Sequence, residues 1–292
     1  MPSLTRKSWH RSTPWLMVVP TLVFLLAVCI YPLLHSLYLS FHQWSLTNPQ
    51  PPQFVWFRNF VELVQDDRFW SALRVTVVFT VGVVAAEMGI GLLLALSATK
   101  QSRFRQVLRS ILLIPMMITP VVLALIWKYM YNPENGIVNF LLGLVGIQGP
   151  IWLGEPAPAL PAVMIVDVWQ WTPFVFLLLS SGIASLPPDV FEAARVDGAN
   201  HLQMFRYITL PLLVPFMVVA LLIRFIDSFK IFDTIFVMTR GGPANATETL
   251  SVYTYKVGLN FFNMGYAAAL SYVILIIITF ASQRFAKIER RS

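Results

Sequence analysis

Ionisable side chains set inside long apolar stretches are the feature of this 292-residue sequence whose chemistry most needs explaining. A charge held in an apolar medium is expensive, so each one is a functional hypothesis with a partner to be named. One stretch reads Arg224-Phe225-Ile226-Asp227-Ser228 and continues Phe229-Lys230-Ile231-Phe232-Asp233. Arg224, Asp227 and Ser228 fall at i, i+3 and i+4, so they share a helix face. A second stretch places Asp167, Gln170, Trp171 and Phe174 at the same spacing. Carboxylates and amides beside an aromatic plane suit a polyhydroxylated ligand, because hydroxyls need hydrogen-bond partners and a ring can stack on a C–H face. The same residues admit a structural reading, in which Arg224 neutralises Asp227 or Asp227 pairs with Lys230. Glu87 has no basic neighbour in sequence and reads as a helix–helix contact or a further ligand group. Lys128 reads as a side chain snorkelling toward the outer interface.

Catalytic chemistry finds no support. None of the six lysines follows a glycine, so no G-x-x-x-x-G-K-[S/T] phosphate loop exists and the chain is not expected to be an ATPase or another enzyme. The four histidines, His10, His35, His42 and His201, show no H-E-x-x-H or comparable spacing, and no metal or cofactor is expected. Cys29 is the single cysteine, which excludes an intrachain disulfide; inside an apolar block it reads as a small buried hydrophobe.

The elements that must position these groups are membrane spans. Hydrophobic residues make up 57% and charged residues 12%, against about 45–50% and about 25% in soluble domains. Mean hydropathy is +0.68. About 20 apolar residues cross the hydrocarbon core, and six segments qualify: 15–40, 72–97, 107–131, 160–183, 211–232 and 266–286. The alternation of a β-barrel is absent, so the spans are helices. The first apolar run is too long for a signal peptide and reads as a retained span. Pro32, Pro115, Pro120 and Pro173 predict kinks. Trp44, Trp56, Trp70, Tyr131 and Trp152 lie near span ends, where aromatic rings favour the interface.

With both termini cytoplasmic, the inner side carries Arg6, Lys7, Arg11, Lys100, Arg103, Arg105, Arg109, Arg195, Arg206, Arg284, Lys287, Arg290 and Arg291. The outer loops carry only Arg58, Arg68, Arg240 and Lys256. That asymmetry predicts both termini inside, and it accounts for the net charge of +7 better than nucleic-acid binding does. Turn residues mark the outer loops at Asn48-Pro49-Gln50-Pro51-Pro52, Asn132 to Gly136 and Gly241-Gly242-Pro243.

Between spans four and five, on the cytoplasmic side, runs Leu186 to Pro215. Asp189 is expected to cap a short helix over Phe191–Val196. Gly198 is expected to end it in the left-handed conformation. A second short helix follows at 202–208, and Pro211 opens the next span. Two short helices at a corner form a rigid exposed knob suited to docking, or an ordinary loop.

Here the residues resemble a known family. Glu192-Ala193-Ala194, Asp197-Gly198-Ala199 and Ile208-Thr209-Leu210-Pro211 match the pattern EAA, three residues, G, nine residues, I-x-LP. This resembles the permease signature of bacterial binding-protein-dependent ABC importers. Phe229 to Asp233, Gly241-Gly242-Pro243, Thr247-Glu248-Thr249, Gly265-Tyr266-Ala267-Ala268-Ala269 and Asn132-Pro133 to Gly136 are similar to the maltose-type carbohydrate permeases, specifically the first of their two non-identical subunits. The likeness runs from Trp15 onward. Extra amino-terminal spans and a large periplasmic insertion of the maltose permease have no counterpart here, so regulatory contacts made through them are not expected.

The resemblance implies an all-α, six-helix type I importer bundle in the bacterial inner membrane. It implies a tail at 1–14, a first span at 15–40, a core permease domain at 72–286 with a coupling loop at 186–210, and a tail at 287–292. The partners implied are a second related permease, two copies of a cytoplasmic ATPase, an extracytoplasmic binding protein and the bilayer, with no nucleic acid. Glu192, Ala193, Ala194, Asp197, Gly198 and Ala199 would couple to the ATPase. Asp167, Trp171, Phe174, Arg224, Asp227 and Ser228 would line the path of a sugar, polyol or related solute near mid-membrane. The same architecture could import a non-carbohydrate solute. A secondary carrier would need inverted repeats or a chain of intramembrane acids, and neither is found.

Overall fold

The computed structural model describes residues 18–48, 50–97 and 103–289. The tail expected at 1–14, residues 15–17 of the first span, Pro49, and the basic residues Arg6, Lys7, Arg11, Lys100, Arg290 and Arg291 lie outside it, as do the side chains of Arg103, Arg105 and Arg109.

In chain order the elements are α1 (Val18–Ser40), β1 (His42–Gln43), β2 (Gln53–Phe54), α2 (Arg58–Gln65), α3 (Asp67–Ser97), α4 (Arg103–Met117), α5 (Pro120–Met130), α6 (Ile137–Leu144) and α7 (Pro156–Ala184). After them come α8 (Pro188–Val196), α9 (His201–Met204), α10 (Leu210–Phe229), α11 (Asp233–Met238), α12 (Leu250–Tyr255) and α13 (Met264–Glu289). Among the described residues, five helical stretches are long and apolar enough to cross a membrane: Val18–Ser40, Asp67–Ser97, Pro156–Ala184, His201–Met238 and Met264–Phe285.

The third expected span, 107–131, is not one rod. Ser110–Met117 and Pro120–Met130 meet at 101°. Pro120 takes the first turn of α5, and Thr119 before it is extended, with φ −64° and ψ 142°, as a residue preceding proline prefers. The break exposes a carbonyl at Ile118, and Gln170 Nε2 donates to it at 3.0 Å. Counted as one broken segment, this pair supplies the sixth crossing.

The fifth span also departs from expectation. The short helix expected at 202–208 is no separate element: α9 runs through a π-helical turn at Phe205–Thr209 directly into α10. Pro211 follows that turn at once. Proline has no N–H to give the preceding turn and its ring crowds the carbonyl there, and a wide π turn absorbs both demands.

Contacts divide the chain into two compact units. The first holds residues up to Gln65 together with Thr254–Val273. In it β1 pairs antiparallel with β2, His42 opposite Phe54, and buried Asn59 donates to the carbonyls of Ser40 and His42. Leu46 N–H donates to Phe262, and Met264 and Gly265 donate to Trp44, tying this segment to the start of α13. The most apolar stretch of α1 buries none of its residues within the protein. Cys29 is accordingly exposed, not the buried hydrophobe expected, because the helix presents this surface to an apolar surrounding.

The second unit spans Asp66–Tyr253 and Ile274 onward. Its core is built where α3 lies against α7, with Phe79 and Val83 meeting Val163 and Val166, and Ala95 meeting Val175 and Leu179. Gly91 permits the approach: a Cβ there would stand 2.7 Å from Val175 Cγ1. Small residues at helix crossings let backbones close in this way. Tyr131, expected at the interface, is buried here instead, because its hydroxyl donates to the Ala162 carbonyl at 3.1 Å.

Candidate functional site

Three spans of the second unit each contribute one buried ionisable group to a single point. Arg224 on α10 donates through Nε to Glu87 Oε2 at 2.6 Å and through Nη2 to Glu87 Oε1 at 2.8 Å. The same Nη2 donates to Asp167 Oδ2 on α7 at 2.8 Å. All three side chains are buried. Trp171, one turn beyond Asp167, lies with its ring 4.9 Å from the Arg224 guanidinium carbon, a cation–π contact. A planar guanidinium fits this role, since its fork matches a carboxylate on one edge while its face stacks.

The α10 helix stops at Phe229, and α11 restarts at Asp233 after three non-helical residues. This break opens a cavity of about 320 Å³ lined by Asp167, Trp171, Arg224, Asp227, Lys230 and Asp233, among others. Asp227 and Lys230 face each other across one turn at 3.2 Å, with side chains 41% and 57% exposed. The site therefore offers carboxylate oxygens, an indole face and a break in the backbone on one wall.

Of the six path residues expected from sequence, Asp167, Trp171, Arg224 and Asp227 meet at this cavity. Ser228 does not: it is buried and its Oγ donates to the Arg224 carbonyl at 2.7 Å. Phe174 packs against the core cluster around Val175 and Leu179. The local pairing expected for Arg224, with Asp227, does not occur, since its partners are 137 and 57 residues away, while the Asp227–Lys230 alternative is present. Glu87 proves to be the principal partner of Arg224. The signal was available: an acid in mid-span with no local base needs a base from another span. Lys128 is exposed, donating to the Val237 carbonyl at 3.3 Å.

The knob is a second surface. Pro187 occupies the cap position of α8 and Pro188 its first turn; Asp189 lies inside that turn and caps nothing, a correction to the expected cap. Pro188 already supplies the helical φ and needs no N–H partner. Gly198 adopts φ +81°. Gly198 N–H bonds the Arg195 carbonyl and Ala199 N–H the Ala194 carbonyl, closing a Schellman motif. Asn200 then opens α9 with a reciprocal capping box to Gln203. Glu192, Ala193, Asp197 and Gly198 are exposed, Ala194 and Ala199 half-buried. Val196, Leu202 and Tyr207 are 88%, 73% and 70% exposed. These apolar side chains stand open on the corner that α8 and α9 form.

A family model described as "Binding-protein-dependent transport system inner membrane component" matches residues 87–288. The chain is 41% identical to a probable ABC transporter permease, y4oQ of Sinorhizobium fredii, over 94% of its length and 88% of the relative's. It is 36% identical to the trehalose/maltose transport system permease protein MalF of Thermococcus litoralis, covering 99% and 98%. Among solved structures it matches a chain of a bacterial ABC transporter involved in import of the acidic polysaccharide alginate, with TM-score 0.85, 25% identity and 98% of both chains covered.

Proposed function

Because the chain belongs to the binding-protein-dependent transport system inner membrane components, we propose that it is one of two related permease subunits of an ATP-driven importer and that its solute is a carbohydrate or polyol. The carbohydrate reading is carried by the cavity beside Trp171, where an indole face stands among carboxylates at a helix break. Solute hydroxyls find acceptors there and a pyranose-type C–H face finds a ring. The names of relatives that serve trehalose/maltose and alginate support the same class.

In this reading an extracytoplasmic binding protein delivers the solute. Two copies of a cytoplasmic ATPase close on ATP and rock the paired bundles from inward-open to outward-open. The α8–α9 corner carries that motion. Glu192 pairs with a basic group of the ATPase cleft, Ala193 and Ala194 allow close packing, and Asp197, Gly198 and Ala199 hold the turn. Hydrolysis belongs to the partner, and this chain contributes the path.

The test is ATP-dependent uptake by the transporter reconstituted with its partners, across labelled mono- and disaccharides, polyols and glycerol phosphates. Saturable uptake of one panel member is expected. ATP hydrolysis stimulated by loaded binding protein without uptake of any carbohydrate would discard the solute class and keep the importer.

A further inference from the structure

The cavity beside Trp171 contains a guanidinium, the group that would ordinarily receive a carboxylate, sulfonate or phosphate. Neither of its two-pronged edges is open for that, and only Nη1 is left without a hydrogen-bond partner among the described residues. Nε and Nη2 of Arg224 are engaged by Glu87, Nη2 is shared with Asp167, and the guanidinium face lies over Trp171. The other cation on the wall, Lys230, stands 3.2 Å from Asp227. Asp233 lines the same cavity, and among the described residues no cation lies within ion-pair distance of it. Four acids, Glu87, Asp167, Asp227 and Asp233, thus face two bases.

We propose that this cavity passes uncharged carbohydrates and turns away acidic ones, and that Glu87, which does not itself line the cavity, is the positioning residue that sets this selectivity by occupying Arg224. The proposal rests on reading the cavity as the solute's path. An anionic solute entering would meet surplus negative charge, and would have to displace Glu87 or Asp167 to be held by two donors of the guanidinium, leaving a buried carboxylate uncompensated. Solute hydroxyls carry no such penalty, since they can donate to the carboxylates as these stand. The fold does not impose the preference, because a similarly folded importer handles the acidic polysaccharide alginate. The side chains impose it.

Ile231 lines the same wall, and Cys29 is the single native cysteine. In a Cys29→Ser background, Ile231→Cys in the assembled transporter in membrane vesicles is labelled with two methanethiosulfonates of similar size, one bearing trimethylammonium and one sulfonate. Each rate is normalised to the same reagent on a free small thiol. The cationic reagent is expected to react about tenfold faster or more, the scale on which a like-charged cleft concentrates counter-ions. Adding Glu87→Gln should pull that ratio toward unity. Where Glu87→Gln fails to assemble, Asp167→Asn replaces it, and the ratio without either change still decides. Equal rates, or faster labelling by the sulfonate, overturn the proposal. Uptake of a phosphorylated or carboxylated solute in preference to its uncharged parent overturns it equally. The underlying path assignment fails separately: a transported sugar that does not slow labelling of Ile231→Cys removes the path while the charge ratio stands.

Discussion

Arg224 shows how a residue's meaning depends on partners far away in sequence. A buried guanidinium held by two carboxylates costs several kcal/mol to desolvate, and the pairing repays this only while the set is complete. Arg224→Leu should therefore lower stability by about 3–5 kcal/mol, seen as an earlier thermal transition of the purified protein in detergent. The triple change Glu87→Met, Asp167→Leu and Arg224→Met should recover most of that loss, because no unpaired charge remains, while uptake stays low. A triple variant as unstable as Arg224→Leu would contradict the account. Asp227 behaves differently, being partly exposed with a partner one turn away. Asp227→Ala should cost under about 1 kcal/mol and still reduce uptake, as should Trp171→Ala, with complex assembly intact. Unchanged uptake in both would leave packing as their only role.

At the scale of elements, the informative events are where helices stop. The α4–α5 break follows from Pro120 and the extended residue before it, and Gln170 repairs the exposed Ile118 carbonyl. The α10–α11 break opens the cavity. At the knob, Gly198 has no neighbour within 4 Å of a would-be Cβ, so its constraint is φ alone. Gly198→Ala should strain the turn by about 1–2 kcal/mol, whereas Gly198→Asn should be milder because Asn tolerates the left-handed region. Glu192→Lys leaves the fold unstrained, since the residue is exposed on α8. Both Glu192→Lys and Gly198→Asp should abolish transport while the protein still inserts. Normal uptake by either would remove the docking role of this corner. The loop's first helix and its left-handed glycine were legible from residue type, whereas the second helix merges through a π turn into α10 and the first is entered through prolines with no Asp189 cap; the Asn200 capping box carries a local signal, its Asn and Gln three apart.

For the whole molecule, the distinction that matters is the source of energy for transport. The chain has no phosphate loop of its own and belongs to a family of transport-system membrane components. Uptake in proteoliposomes should stop when internal ATP is replaced by a non-hydrolysable analogue. It should continue when an ionophore collapses ion gradients. The reverse pattern would return the chain to the secondary carriers.

Composition and run length alone determined that this protein crosses a membrane on helices, because burying a backbone in hydrocarbon leaves that solution and length sets the count. The first knob helix and the Gly198 turn were equally legible, since proline and glycine act within a few positions of themselves. Which acids meet Arg224 was decided only in three dimensions. Glu87, Asp167 and Arg224 lie on three different helices, and their pairing depends on the rotation and depth at which α3, α7 and α10 pack, quantities that no local pattern carries. The same packing decided that Ser228 and Phe174, on the expected faces by spacing, turn to backbone and core instead.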